Sequence, residues 1–251
     1  MIITELIIIK NYYLASMHLN IISRGWMLVT ISLFLAGCNR EPGPYDPVPI
    51  TDPRFLYALI EKGYDRNFDK QISFSEAEAI IYLDVSGKLI TSMKGLEAMT
   101  NLLELNCFNN EIESLNLSAN PLLQTLDCAE NYLDSLDLSA NPDLTFVDCS
   151  RNQITDLDVS NNLSLTFLWC SSNDLTYLDL SANKALGSDW DYTANEGFCY
   201  TEIDLSYNSF LQEVCVWELP FPPEYREICV NTVGSPQLIF TTSCLVDEPG
   251  R

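Results

Sequence analysis

The chain has 251 residues, 35 of them acidic and 13 basic, for a formal net charge of −22 at neutral pH. So acidic a surface repels phosphate backbones and anionic headgroups, which excludes nucleic acid as a partner and argues against adsorption to anionic lipid. The single histidine, His18, lies in the apolar N-terminal stretch, so nucleophile–imidazole catalysis and most zinc sites are excluded from the rest of the chain.

Residues 1–37 are apolar but are interrupted by Glu5, Lys10 and Arg24, so they do not read as a membrane-spanning helix. The stretch from Gly25 to Gly37, preceded by Arg24, has the basic start, short apolar core and small-residue end of a secretory signal. Its ending, Leu35-Ala36-Gly37-Cys38, resembles a bacterial lipobox, which implies cleavage before Cys38 and lipidation of that thiol. The proportions predict a start at Met17, with residues 1–16 a spurious extension and 17–37 the signal peptide. Residues 38–251 keep 11 basic and 34 acidic residues, a charge of −23.

Five prolines fall between residues 38 and 53, at 42, 44, 47, 49 and 53. That density predicts an extended, semi-rigid tether. Residues 54–81 are predicted to be helical at both ends, with Phe55, Leu56, Leu59 and Ile60 on one apolar face and a second short helix from Ala77 to Ile81. Between them, Asp65 to Glu76 resembles the twelve-residue calcium loop of EF-hand and dockerin-like modules. The resemblance implies oxygen ligands from Asp65, Asn67, Asp69, the Gln71 carbonyl, Ser73 through water, and a bidentate Glu76. Lys70 departs from the pattern at the sixth position, where glycine is usual; a left-handed residue there costs about 1 kcal/mol. The same residues also read as a metal-free helical cap in which Ser73 and Glu76 form a capping box.

From Leu102 to Ala185 the sequence repeats every 21 residues. Cys107, Cys128, Cys149 and Cys170 keep that spacing, each inside a phrase such as Leu123-x-x-Leu126-x-Cys128-x-x-Asn131-x-Leu133. A second half, such as Leu133-x-x-Leu136-x-Leu138-x-x-Asn141, echoes the first. This period and leucine spacing mark a leucine-rich-repeat solenoid, mostly β within the α/β repeat class, with short strands in parallel stacks and a small helical N-terminal cap. Alternation puts Leu126 and Cys128 inward and Asp127 outward. Stacking places the asparagines in columns at tight corners, Asn110, Asn131, Asn152 and Asn173 in the first half and Asn120, Asn141, Asn162, Asn183 and Asn208 in the second, where their amides satisfy backbone groups. The nested phrases resemble the cysteine-laddered, internalin-like proteins and the leucine-rich-repeat lipoproteins of Gram-negative envelopes. That resemblance covers residues 82–209 and implies non-catalytic recognition or adhesion outside the cytoplasm.

Leu83-Asp84-Val85-Ser86 matches Leu136-Asp137-Leu138-Ser139 and reads as a second-half phrase in an opening coil. Ile203-Asp204-Leu205-Ser206 lies 25 residues beyond Leu178-Asp179-Leu180-Ser181, which predicts an insertion of about four residues carrying Trp190, Tyr192, Phe198, Cys199 and Tyr200, a place where repeat proteins often bind. Pro220, Pro222 and Pro223 are expected to stop the stacking, leaving 210–251 as a C-terminal cap with a strand at 238–240. The repeat cysteines are expected to be reduced and buried. Cys199, Cys215, Cys229 and Cys244, in the irregular tail of an exported chain, are expected to form one or two disulfides of open pairing.

Carboxylates remain for glycan hydrolysis, but they follow the repeat: Asp137, Asp158, Asp179 and Asp204 with Asn116 in one column, Asp127 and Asp148 with Asn106 in another. Repeat-locked acids read as a solvated face, with diffuse calcium binding as a secondary role. Outward from the cysteine-bearing strand lie Glu104, Thr125, Phe146 and Phe167, and Asn106, Asp127, Asp148 and Trp169. The expected ligand surface is therefore Phe146, Phe167, Trp169, Trp190 and Tyr192; the alternative is that the phenylalanines pack under a loop. The sequence thus reads as a monomeric, lipid-anchored outer-membrane or cell-surface protein, with the periplasmic face left open. It binds a protein or glycan, with calcium as a candidate cofactor. A structural envelope role is the alternative.

Overall fold

The computed structural model describes residues 41–187, 201–219, 221–222, 229–235, 237–242 and 244. Helix α1 (Pro53–Glu61) starts where Asp52 accepts the Arg54 and Phe55 amides and Pro53 fills the first turn, a position where the missing proline N–H has no helical partner to lose. Helix α2 (Phe74–Glu78) opens on a capping box between Ser73 and Glu76. It therefore begins three residues before the expected Ala77 and ends before Ile81, because the box nucleates the first turn at Ser73.

Among the described residues the strands that follow are β1 (Tyr82–Asp84), β2 (Glu104–Asn106), β3 (Thr125–Asp127), β4 (Phe146–Asp148), β5 (Phe167–Trp169), β6 (Tyr177–Asp179), β7 (Ile203–Asp204), β8 (Glu213–Cys215), β9 (Val230–Asn231) and β10 (Ile239–Thr241). They make a seven-stranded sheet, β1-β2-β3-β4-β5-β7-β9, and a three-stranded sheet, β6-β8-β10, parallel throughout. This is a leucine-rich-repeat solenoid, with first halves stacked in one sheet and the later second halves in the other.

The register corrects the expected assignment of two phrases and the expected end of the stack. Leu83 pairs with Leu105, so Leu83-Asp84-Val85 is a first-half phrase and Val85 stands in the cysteine column. Ile203 pairs with Leu168, 35 residues earlier, so Ile203-Asp204-Leu205 is also a first half, and the insertion before it is 14 residues instead of four. Val214 pairs with Phe240 and Ile203 with Val230, so the prolines interrupt the coil without ending the stack. For the two phrases, Leu-Asp-Leu and Leu-x-Cys share one alternation, and only hydrogen-bond register separates the two halves.

The proline-rich segment is also not a free tether along its whole length. Val48 is buried and donates to the Ile72 carbonyl at 2.7 Å, while the Phe74 and Ser75 amides donate to Asp46 and Pro44. Pro47 bridges Ser73 antiparallel. Apolar Val48 and Ile50 give this stretch something to bury: Val48 lies in the core and Ile50 packs against it.

Inside the coils, Leu105, Leu126, Val147, Leu168 and Ile203 form one buried column. Val85, the four cysteines and Leu205 form the next. Cys107, Cys128, Cys149 and Cys170 are free thiols, and burial pushes each thiol well above its usual pKa. In the tail Cys215 is bonded to Cys244, and Cys229 is also disulfide-bonded; Cys199 lies outside the described residues. Phe221 lies between Trp217 and Phe240, perpendicular to the first ring and tilted by 39° to the second, with centroids 5.1 Å apart in each pair.

The asparagine ladders hold the corners. Asn131 Nδ2 donates to the carbonyls of Cys107 and Cys128, each at 3.0 Å, and its Oδ1 accepts from the Ile112 amide. Asn110, Asn152 and Asn173 do the same one coil apart. Asn208 donates to Cys170 and Leu205 and so belongs to this first-half column, not to the second. Asn120, Asn141, Asn162 and Asn183 donate across the second corner. Just before the first ladder the backbone is left-handed in every coil, at Gly87, Asn109, Glu130, Arg151, Ser172, Tyr207 and Gly234. Only at Gly234 does space also demand glycine, since an added Cβ would lie 2.6 Å from the Tyr207 ring.

Asn131→Ala would strand a buried amide and two buried carbonyls, and we expect it to lower stability by about 3 kcal/mol. Glu130→Gly, at the left-handed position beside it, relieves strain while loosening the unfolded chain and is expected to stay within about 1 kcal/mol. Urea unfolding of both variants makes the comparison; equal losses would show that the amide ladder is not what closes the corner.

Candidate functional site

The outward side of the seven-stranded sheet presents two columns. Strand pairing aligns Glu104, Thr125, Phe146 and Phe167 in the first, and Asp84, Asn106, Asp127, Asp148, Trp169, Asp204 and Asn231 in the second. Asp204 therefore belongs with Asp127 and Asp148, a correction to its expected place beside Asp137, Asp158 and Asp179. Each acid or amide of the second column accepts the amide two residues on, as in Ala129 to Asp127 at 3.1 Å, Ser150 to Asp148 at 2.9 Å and Ser206 to Asp204 at 3.0 Å. The repeated aspartates are thus turn-formers first, which explains their lock to the period.

Three of the five residues expected to bind a ligand come together here. The Phe146 ring lies 6.2 Å from Phe167 and 5.2 Å from Trp169, at 74° to the indole plane. The Trp169 indole N–H donates to the Thr201 carbonyl at 2.6 Å, which fixes the ring between β5 and β7. All three aromatics are half-buried, supporting one another while keeping exposed surface. Trp190 and Tyr192 lie outside the described residues, as does the expected lipidation site, Cys38.

The electrostatics of the two aspartate columns differ. Burial pushes the Asp127 carboxyl up to about 6 against its bond from the Ala129 amide, helped by the charges of Asp148, Asp84 and Glu130. Asp148 is raised as well, first by burial, against bonds from Ser150 and with repulsion from Asp204 added. On the second-half side, hydrogen bonds from Ser139 and Ser160 hold Asp137 and Asp158 below the usual carboxylate range.

At the other end of the chain, the loop from Asp65 to Glu76 folds around its own carboxylates. Asp65 accepts the Asp69 and Lys70 amides at 3.2 and 2.9 Å, and Asn67 Oδ1 and Asp69 Oδ1 accept those of Asp69 and Gln71. Glu76 Oε1 accepts from Arg66 and Asn67, and its Oε2 accepts from the Ser73 amide and hydroxyl. Lys70 takes the left-handed conformation, with φ +67°, as does Phe68, so the sharp turn forms without glycine. Asp65 and Glu76 are buried, Asn67, Asp69 and Gln71 are exposed, and Ile72 is in the core. The donor set is all oxygen, which suits a hard cation. The capping box and the candidate ligand set share Glu76.

Two buried carboxylates that tie distant segments together were missed in the sequence. Asp52 caps α1 with Oδ1, while its Oδ2 accepts from Thr91 and Ser92 of the first coil, joining cap to solenoid; the Asp-Pro pair was the available signal. Glu202 follows Phe167 in the first outward column. It is fully buried, accepts the Cys229 amide at 2.6 Å and is raised in pKa by that burial. Nothing local marks it.

The sequence matches no protein family and no curated protein. Among solved structures it is similar to the functional domain of InlJ from Listeria monocytogenes, which includes a cysteine ladder, at 29% identity over 73% of this chain and 44% of that one, with a TM-score of 0.48. It is also similar to the internalin InlF of the same bacterium (20% identity, 82% and 58% covered, TM-score 0.44) and to its internalin C2 (16%, 80% and 98%, TM-score 0.37). The chain thus spans less than two thirds of the first two proteins.

The opposed shifts give stability a defined pH profile. Asp127 binds its proton more tightly folded, near 6, than unfolded, at about 3.9, so stability rises as pH falls between those values. Asp52 and Glu76 are held below the usual range, since hydrogen bonds outweigh the opposing effect of burial. Their contribution is present above about pH 4.3 and is lost as pH falls further. Melting temperature is expected to peak near pH 5, and Asp127→Asn to flatten the rise above pH 4 while leaving the acid limb in place.

Proposed function

We propose that this chain is a lipid-anchored cell-envelope protein that recognises an extracellular protein partner through the outward face of the seven-stranded sheet. The observation that carries this reading is the aromatic group Phe146–Phe167–Trp169, held half-exposed on a rigid parallel register and bordered by carboxylates. Aromatic side chains fixed by their neighbours lose little entropy on binding, and such residues dominate recognition surfaces. The Leu35-Ala36-Gly37-Cys38 ending supplies the anchor, and the chain acts as a monomer.

Asp65, Asn67, Asp69, the Gln71 carbonyl and Glu76 would hold a calcium ion, whose charge would pin the loop against α2. Glu76→Gln keeps an acceptor for the capping box but removes the charge. Added calcium is expected to raise the melting temperature of the parent chain and not of Glu76→Gln; no rise in either would leave the segment a metal-free cap.

The recognition reading is tested by screening the chain against extracellular-matrix proteins and purified glycans. Trp169→Ala is expected to weaken capture of its protein partner about tenfold or more with an unchanged circular dichroism spectrum. Capture confined to a glycan would change the partner class, and no capture at all would favour a structural envelope role.

A further inference from the structure

Resting on that recognition reading, we infer that the partner presents an arginine to this face, its guanidinium seated over Trp169 between Asp148 and Asp204. Strand register puts the three side chains in one unbroken column, Asp148 beside Trp169 and Trp169 beside Asp204. Neighbouring strands lie about 4.8 Å apart, so a planar cation on the indole is within reach of a carboxylate on each side.

Three observations converge on a cation. The described ion pairs of the chain involve Asp84 with Lys62, Glu111 with Arg54, Glu61 with Lys88 and Glu130 with Arg151. Among the described residues, no lysine or arginine forms an ion pair with Asp148 or Asp204; Arg151, which is paired to Glu130, acts on Asp148 only from a distance. Asp204 accepts the Ser206 amide with Oδ1 and Asp148 accepts the Ser150 amide and hydroxyl, all from their own turns, and a carboxylate has lone pairs for further donors. Trp169 is held by its bond to Thr201 and by the near-perpendicular Phe146 ring, so the aromatic platform is formed in advance. A cation over an indole is favourable, more so beside partly desolvated carboxylates.

Arginine fits better than lysine. Its planar fork stacks on the ring and directs N–H groups sideways to both acids, whereas an ammonium is a compact, strongly hydrated point charge. The net charge of −22 draws any polycation toward the surface, so the test must separate the site from the general field.

The probe is a fluorescent arginine–glycine peptide, compared with its lysine and neutral citrulline counterparts, titrated into the purified full chain at physiological salt. The asparagines Asn106 and Asn231 make the same turn at equivalent positions, so Asp148→Asn with Asp204→Asn keeps the fold. This pair is expected to weaken arginine binding about tenfold or more. The charge-matched pair Asp137→Asn with Asp158→Asn, on the second-half side, is expected to change it by less than about twofold. Equal losses in both pairs, or equal binding of the citrulline peptide, would overturn the inference. Protein capture that depends on Trp169 but is indifferent to Asp148 and Asp204 would overturn the arginine site and leave the recognition reading standing. Arginine-peptide binding at the site without any protein capture would do the reverse.

Discussion

Everything in this molecule depends on satisfying backbone groups at corners that no helix or strand can serve. A coil of 21 residues turns sharply, and each turn buries amides and carbonyls within a leucine core. An unpaired group there costs far more than a normal hydrogen bond returns. The first asparagine ladder answers this by bonding to its own coil and the one before it, so every coil becomes a partner for its neighbour. The left-handed residue ahead of each ladder position follows from the same demand. Four of the five non-glycine residues there are polar or charged, and each tolerates a strain of about 1 kcal/mol because the ladder fixes the turn.

The fold was legible because its signals are periodic. Leucine spacing, the 21-residue cysteine interval and the asparagine columns all named a solenoid, and the inward and outward faces followed from alternation. What could not be read was register where phrases are ambiguous. Leu83-Asp84-Val85 and Ile203-Asp204-Leu205 fit either half of the coil by residue type, and hydrogen bonding to Leu105 and Leu168 decided the matter. The candidate site was partly legible for the same reason. Phe146, Phe167 and Trp169 fell on one face by counting, but Asp204 joins Trp169 only once a 14-residue insertion is assigned correctly. Glu202 and Asp52 are defined by distant partners, Cys229 and Thr91, which local sequence does not report.

The two aspartate columns show how one turn motif serves two electrostatic ends. Asp137 and Asp158 have serine two residues on, and those serines hold the carboxylates below the usual range. Asp127 is raised first by burial, with the charges of Asp148, Asp84 and Glu130 added, and burial raises Asp148 even though Ser150 bonds it as Ser139 bonds Asp137. The same turn therefore leaves a carboxylate at ease as an anion where it is exposed, as at Asp137 and Asp158, and disfavours the charge where it is half-buried, as at Asp127 and Asp148. That half-buried pair lies on the face that carries the aromatic group.

The docking of the proline-rich segment has a mechanical meaning. A pull applied at residue 42 does not extend a slack spacer; it arrives within a few residues at the bridge between Pro47 and Ser73 and the Val48–Ile72 bond. From there the force divides. One branch enters the carboxylate loop through Ser73 and Glu76. The other runs through Asp52, whose two oxygens grip α1 and the first coil at once. The solenoid is thus clamped at its base, and a load on the N-terminal segment is felt first by the loop that would hold calcium.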